Sequence, residues 1–224
     1  MRRALLSAAA ALAATAALAH EAHPPPAAGG PAFPIAAPGS YRLPPIKPAA
    51  GGAVLDETGR PQDLRRDALL GRLTVLALIY TRCGDVCPVA SADMARLQDL
   101  AAKDAPLSRR LHLVTLSFDP EHDTPAVMRD YAATWRSSDP GAPAWRFLTA
   151  PDRNALAPIL AAYGQRVDAR PGAAGGPLNH VFRAFLIDRD GRIRNIYSLD
   201  FFEPALVIND VRTLLLEAAG TEER

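Results

Sequence analysis

One apolar run near the middle of the chain, RLTVLALIY (72–80), is continuous, rich in β-branched residues and bounded by Gly71 and a cysteine-bearing stretch. A run of this length without polar alternation predicts a central strand covered on both faces. LHLVTLSF (111–118) predicts a second strand and AWRFLTA a short third. VFRAFLID and RIRNIYSL, joined through Asp188-Arg189-Asp190-Gly191, predict a hairpin. Between these runs the period lengthens to that of a helix. Behind Pro88, placed at a first helical position, Ala90, Met94, Leu97 and Ala101 recur on one face. Thr124 as N-cap and Pro125 in the first turn open a helix to about Trp135. DRNALAPILAAYG predicts a helix interrupted by Pro158 and closed by Gly164, and a last helix runs from Pro204 to Gly220. AVLDETGRPQDL has two short apolar ends around Glu57-Thr58-Gly59, an N-terminal hairpin, while ARPGAAGGPLNH (169–180) reads as a loop.

Strands alternating with helices imply a parallel core, to which the hairpins add antiparallel pairing. The expected class is α/β: a central mixed sheet flanked by helices with an added N-terminal hairpin, the plan of a thioredoxin-like domain. In open sheets of this kind, sites form at the carboxyl ends of strands. Cys83 and Cys87, the only cysteines, follow the end of strand 72–80 and lead into a helix.

The N-terminal part has a different composition. Met1-Arg2-Arg3 and the apolar, Ala-rich run to Ala19 predict a cleaved secretory signal peptide, since the run falls short of the roughly 20 residues of a spanning helix. Residues 20–50, rich in Pro, Ala and Gly, predict a linker or loosely held arm, and 51–220 one folded domain. Export places the expected protein in the periplasm. The chain carries 25 basic and 24 acidic residues, and losing Arg2 and Arg3 with the signal leaves it near neutral. That balance carries no signature of nucleic-acid binding.

Outside the cytoplasm the two cysteines can oxidise. A purely structural disulfide over so short a loop removes little chain entropy. A redox pair is a second reading: both sulfurs stand near a helix start, with Arg82 adding positive charge. A metal site is the third, because cysteines four apart fall on one side of a helical turn and can face a common ligand. Two thiolates with an imidazole suit copper. Five histidines are available. His112 lies within an apolar strand, His122 in the polar stretch DPEHDTP, and His20 and His23 in the Pro-rich arm. His180, beside Asn179, stands where a loop meets a strand and can reach over the two sulfurs.

IYTRCGDVCP, VTLSFDPEHDTPAVMRDYA and NHVFRAFLIDRDGRI, in this order and spacing over roughly 72–218, resemble the Sco (Sco/SenC) family of copper chaperones. The resemblance implies a thioredoxin-like fold and copper, as Cu(I) or Cu(II), held by Cys83, Cys87 and His180. It implies delivery to the binuclear copper centre of cytochrome c oxidase, with the copper-acceptor subunit and a periplasmic thiol reductant as partners and a membrane touched only through that client. Asp119 and Asp123 would belong to a loop near the site rather than to the ligand set. Gly84 stands where the family commonly has Pro, and Asn179 where an acidic residue is frequent. The alternative function is a thiol–disulfide oxidoreductase that uses Cys83 and Cys87 as a redox pair to reduce the acceptor's cysteines. A peroxidase on the same fold fits the motif poorly.

Overall fold

Every residue of the run Leu73–Ile79 is buried, which only a strand covered on both faces allows. The structure, a computed structural model, describes residues 33–84, 86–169 and 178–222. The expected signal peptide 1–19, His20, His23 and most of the loop 169–180 lie outside the described residues. In chain order the elements are β1 (Lys47–Pro48), β2 (Ala53–Asp56), β3 (Pro61–Asp63), a π-helical turn (Leu64–Leu69) and β4 (Leu73–Ile79). Then come α1 (Val86–Ala102), α2 (Ala105–Ser108), β5 (Leu111–Ser117), α3 (Pro125–Trp135), β6 (Trp145–Thr149), α4 (Arg153–Tyr163) and β7 (Val167–Ala169). The chain continues through β8 (Leu178–His180), β9 (Arg183–Ile187), β10 (Arg192–Tyr197), a 3₁₀ turn (Leu199–Phe201) and α5 (Pro204–Glu222).

Eight of these strands form one sheet in the order β1-β10-β9-β4-β5-β6-β2-β3. β4, β5 and β6 are parallel, whereas β9 runs antiparallel to β4, and β2 antiparallel to β6. This is the mixed, helix-flanked sheet of a thioredoxin-like fold, with the expected N-terminal hairpin β2–β3 extending one edge. Ala90, Met94, Leu97 and Ala101 are buried as their spacing requires, and α1 packs against α5. β4 and β5 end side by side, in register from Leu73↔Leu111 to Ile79↔Ser117, so the segments that follow them emerge together. That common exit brings the cysteine stretch beside the Asp119–Asp123 loop.

Three local expectations need correction. α1 begins at Val86, so Pro88 is its third residue and Cys87 lies inside the first turn; first-turn N–H groups have no helical acceptor, so proline fits at any of these positions. α4 runs unbroken through Pro158, whose side is exposed, so the carbonyl it leaves unpaired can face water. Gly164 does close this helix, in the left-handed region at φ 66°. α5 continues past Gly220.

The described part of segment 20–50 is docked rather than loose. β1 pairs with β10, the Asn209 amide donates to the Ala36 carbonyl (2.7 Å), and Tyr41 donates to the buried Asp210. Likewise both ends of the expected loop 169–180 are strands: β7 and β8 form a separate two-stranded sheet, with His180 opposite Val167. Among the described residues no helix is long and apolar enough to cross a membrane.

Candidate metal centre

Cys83 and Cys87 are free thiols, 6% and 0% exposed, at the carboxyl end of β4. The short stretch after Ile79 turns at once: the Cys83 N–H bonds back to the Tyr80 carbonyl, and α1 starts three residues later. The Cys87 backbone N–H then points at Cys83 Sγ, 3.4 Å away. A first-turn N–H aimed at sulfur is a donor suited to a thiolate or a metal-bound thiolate. Burial pushes the Cys87 thiol well above the ordinary range, against a hydrogen bond from the Tyr80 backbone that works the other way. In the metal-free protein Cys87 therefore carries its proton at neutral pH.

His180 completes the group. Its Nε2 lies 3.6 Å from Cys87 Sγ, and its Nδ1 lies 3.1 Å from the Leu178 carbonyl. A carbonyl only accepts, so Nδ1 holds the ring proton and the Nε2 lone pair faces the sulfur. Once Cys87 loses its proton, sulfur and nitrogen lone pairs face each other. One donor atom from each of Cys83, Cys87 and His180 lies within 4.8 Å of the others. Two buried sulfurs and a half-buried imidazole are a donor set that fits copper or zinc.

Two aromatic residues hold the imidazole. Its ring stands edge-on to Tyr80 (centroids 5.3 Å apart) and tilted against Phe118 (5.1 Å), and these two rings pack on each other at 5.2 Å. The Leu178 N–H donates to the Tyr80 hydroxyl at 3.1 Å, tying β8 to the end of β4. Sequence reasoning passed over both residues. Their signal was positional: each is the apolar residue that follows a parallel core strand at the end of the sheet that carries the cysteines.

Asp119 and Asp123 do belong to a loop beside the site, and turn chemistry accounts for only part of their contacts. Asp119, buried, accepts from Arg82 Nη2 at 2.6 Å and from Arg82 Nε at 3.2 Å. Asp123, 0% exposed, accepts from the Thr81 N–H (2.9 Å), the Thr81 and Ser117 hydroxyls and His122 Nδ1 (3.0 Å). Asp119, His122 and Asp123 also lie within 4.8 Å of one another, but their oxygens are taken up by these protein donors. Among the described residues, the other two histidines are not part of the centre. His122 is largely exposed, and His112, on β5, is half-buried with its pKa lowered by burial and by Arg72 and Arg146.

Residues 54–216 match the model of the SCO1/SenC family. The chain is 30% identical over 84 residues to a Stutzerimonas stutzeri protein whose name proposes copper binding, covering 38% of this chain and 39% of that one. It is 24% identical over 133 residues to the SCO1 protein homolog of Bacillus subtilis (strain 168), covering 59% of this chain and 65% of that one. It therefore spans less than two thirds of either relative's length. Among solved structures, copper-bound ScoI of Bradyrhizobium japonicum superposes with a TM-score of 0.58 at 25% identity, over 76% of this chain and 98% of that one.

Proposed function

Because this chain belongs to the SCO1/SenC family, we propose that it is an exported copper chaperone whose Cys83, Cys87 and His180 carry one copper ion as cargo. The observation that carries this reading is the meeting of two buried sulfurs and a tautomer-fixed imidazole at the end of β4. The copper-bound relative of the same fold supports the choice of metal over zinc. The acceptor is the copper-bearing subunit of a cytochrome c oxidase, and the cargo moves to its binuclear centre by ligand exchange. Loss of two electrons and two protons to an oxidant joins Cys83 Sγ to Cys87 Sγ and removes two of the three ligands. Loading then requires a thiol reductant in the periplasm, a location supported by the charge and apolar pattern of residues 1–19.

Copper titration of the reduced protein tests the ligand set. One ion per chain is expected, with binding lost in Cys83→Ala and Cys87→Ala and strongly weakened in His180→Ala. A His180→Ala variant that binds as tightly as the unaltered protein overturns it.

One observation favours a second activity, reduction of the acceptor's disulfide. Cys83 is the less buried sulfur and receives the Cys87 N–H, so it is placed to attack, with Cys87 resolving. Cys87→Ser then traps a Cys83–acceptor mixed disulfide, and His180→Ala leaves the exchange intact.

A further inference from the structure

The sulfurs are placed by the chain that precedes them. Thr81 and Arg82 lie between β4 and Cys83, and each is gripped by a carboxylate from the loop after β5: Thr81 by Asp123, Arg82 by Asp119. The two grips differ. Arg82 is a long side chain, a third exposed, whereas Thr81 is held through its backbone N–H as well as its hydroxyl. A bond to the backbone two residues before Cys83 fixes the direction in which the cysteine loop leaves the strand.

Asp123 is itself immobilised from the other side. Its N–H donates to the Asp119 carbonyl at 2.8 Å, and it immediately precedes Thr124, the N-cap of α3. Both of its oxygens are saturated: Oδ2 by the Thr81 N–H and the Ser117 hydroxyl, Oδ1 by the Thr81 hydroxyl and His122 Nδ1. A fully buried carboxylate with four donors is rigid, and removing one donor weakens the grip while its oxygen keeps a second partner.

We propose that Asp123 is a positioning residue of the copper site, holding the Cys83–Cys87 loop at the exit of β4 through Thr81. The proposal rests on the copper reading for its affinity consequence, but the placement of the sulfurs can be read without metal. Cys87 is fully buried, so in a Cys83→Ser background, where no neighbouring thiol can react first and exchange, its rate of modification by a disulfide reagent reports how well the loop is held.

The experiment uses the reduced full chain with Asp123→Asn, Thr81→Val and Thr81→Ser, with both cysteines present for copper titration and with Cys83→Ser added for Cys87 modification. Tyr41→Phe, which loses a bond from the N-terminal arm to Asp210, controls for general destabilisation. Asp123→Asn and Thr81→Val are expected to speed Cys87 modification about tenfold and to weaken copper binding about tenfold, the usual scale for residues that orient ligands. Thr81→Ser keeps the hydroxyl and restores both to within about twofold, and the double variant is no worse than Asp123→Asn alone, since both act through one contact. Thr81→Val preserves the fold if Asp123→Asn does not. If modification rate and affinity in both Asp123→Asn and Thr81→Val stay within about twofold of the unaltered protein, or change only as in Tyr41→Phe, the proposal falls. A protein that takes up no copper refutes the chaperone reading instead, and Cys87 modification still decides the role of Asp123.

Discussion

The Nε2 of His180 faces Cys87 Sγ at 3.6 Å because its Nδ1 is committed to the Leu178 carbonyl two residues back. The imidazole is thus presented with its lone pair forward before any ion arrives, and β8 carries both the ring and its anchor.

That anchoring makes Tyr80 consequential. In Tyr80→Phe the Leu178 N–H loses its acceptor while the ring packing on His180 remains. The expected cost is about 1 kcal/mol of stability, read from the denaturant midpoint. Copper affinity should fall by less than in His180→Ala; an equal loss would show that the hydroxyl, and not the ring, positions the imidazole.

Copper uptake should release protons. Burial raises the Cys87 pKa, so near neutral pH the thiol is protonated until metal displaces its proton. Apparent affinity should therefore climb about tenfold per pH unit for each thiol proton released. Calorimetry in buffers of different ionisation enthalpy measures the number, and a pH-independent affinity would contradict the burial of Cys87.

His112 should make the fold sensitive to mild acid. Its folded pKa is lowered, first by burial and then by Arg72 and Arg146, from an ordinary value of 6.5. The unfolded chain thus binds the proton more readily, and stability falls as pH drops through 6.5 toward the lowered value, being fully present above it. Replacing His112 with Gln should flatten the stability profile in that window, as followed by thermal melts from pH 7 to pH 5.

Thr124 caps α3 by accepting from the Val127 N–H at 3.4 Å. Thr124→Ala is expected to cost about 1 kcal/mol. Because the cap adjoins Asp123, hydrogen exchange of the Thr81 amide should accelerate along with the loss of stability.

What could be read from the sequence was whatever periodicity or chemistry expresses locally. The run 72–80 announced β4 because burial on both faces removes every polar position, and Thr124-Pro125 marked the start of α3 because capping uses adjacent residues. The cysteine pair was legible as soft donors at one strand end, whereas His180 was set apart from the other histidines chiefly by the family resemblance. β7 and β8 were not, since strands of three residues containing Asp168 and Asn179 carry no apolar alternation. The docking of the arm was hidden for another reason: its contacts, Tyr41 with Asp210 and Ala36 with Asn209, join positions some 170 residues apart. Asp123 was half-read. Its place before a cap was visible, but its hold on Thr81 depends on β4 and β5 ending side by side.

The proposed ligands are divided between two frames, which would shape how the proposed cargo leaves. Cys83 and Cys87 belong to a frame anchored by the central strand and α1, whereas His180 rides on a small ribbon paired only with β7. Such a centre resembles a latch with a fixed plate and a separate tongue. Under the proposed chaperone role, an incoming acceptor would take over the histidine's position first, with the two sulfurs still gripping the ion, and then displace them in turn, so that the metal would never be released into solution.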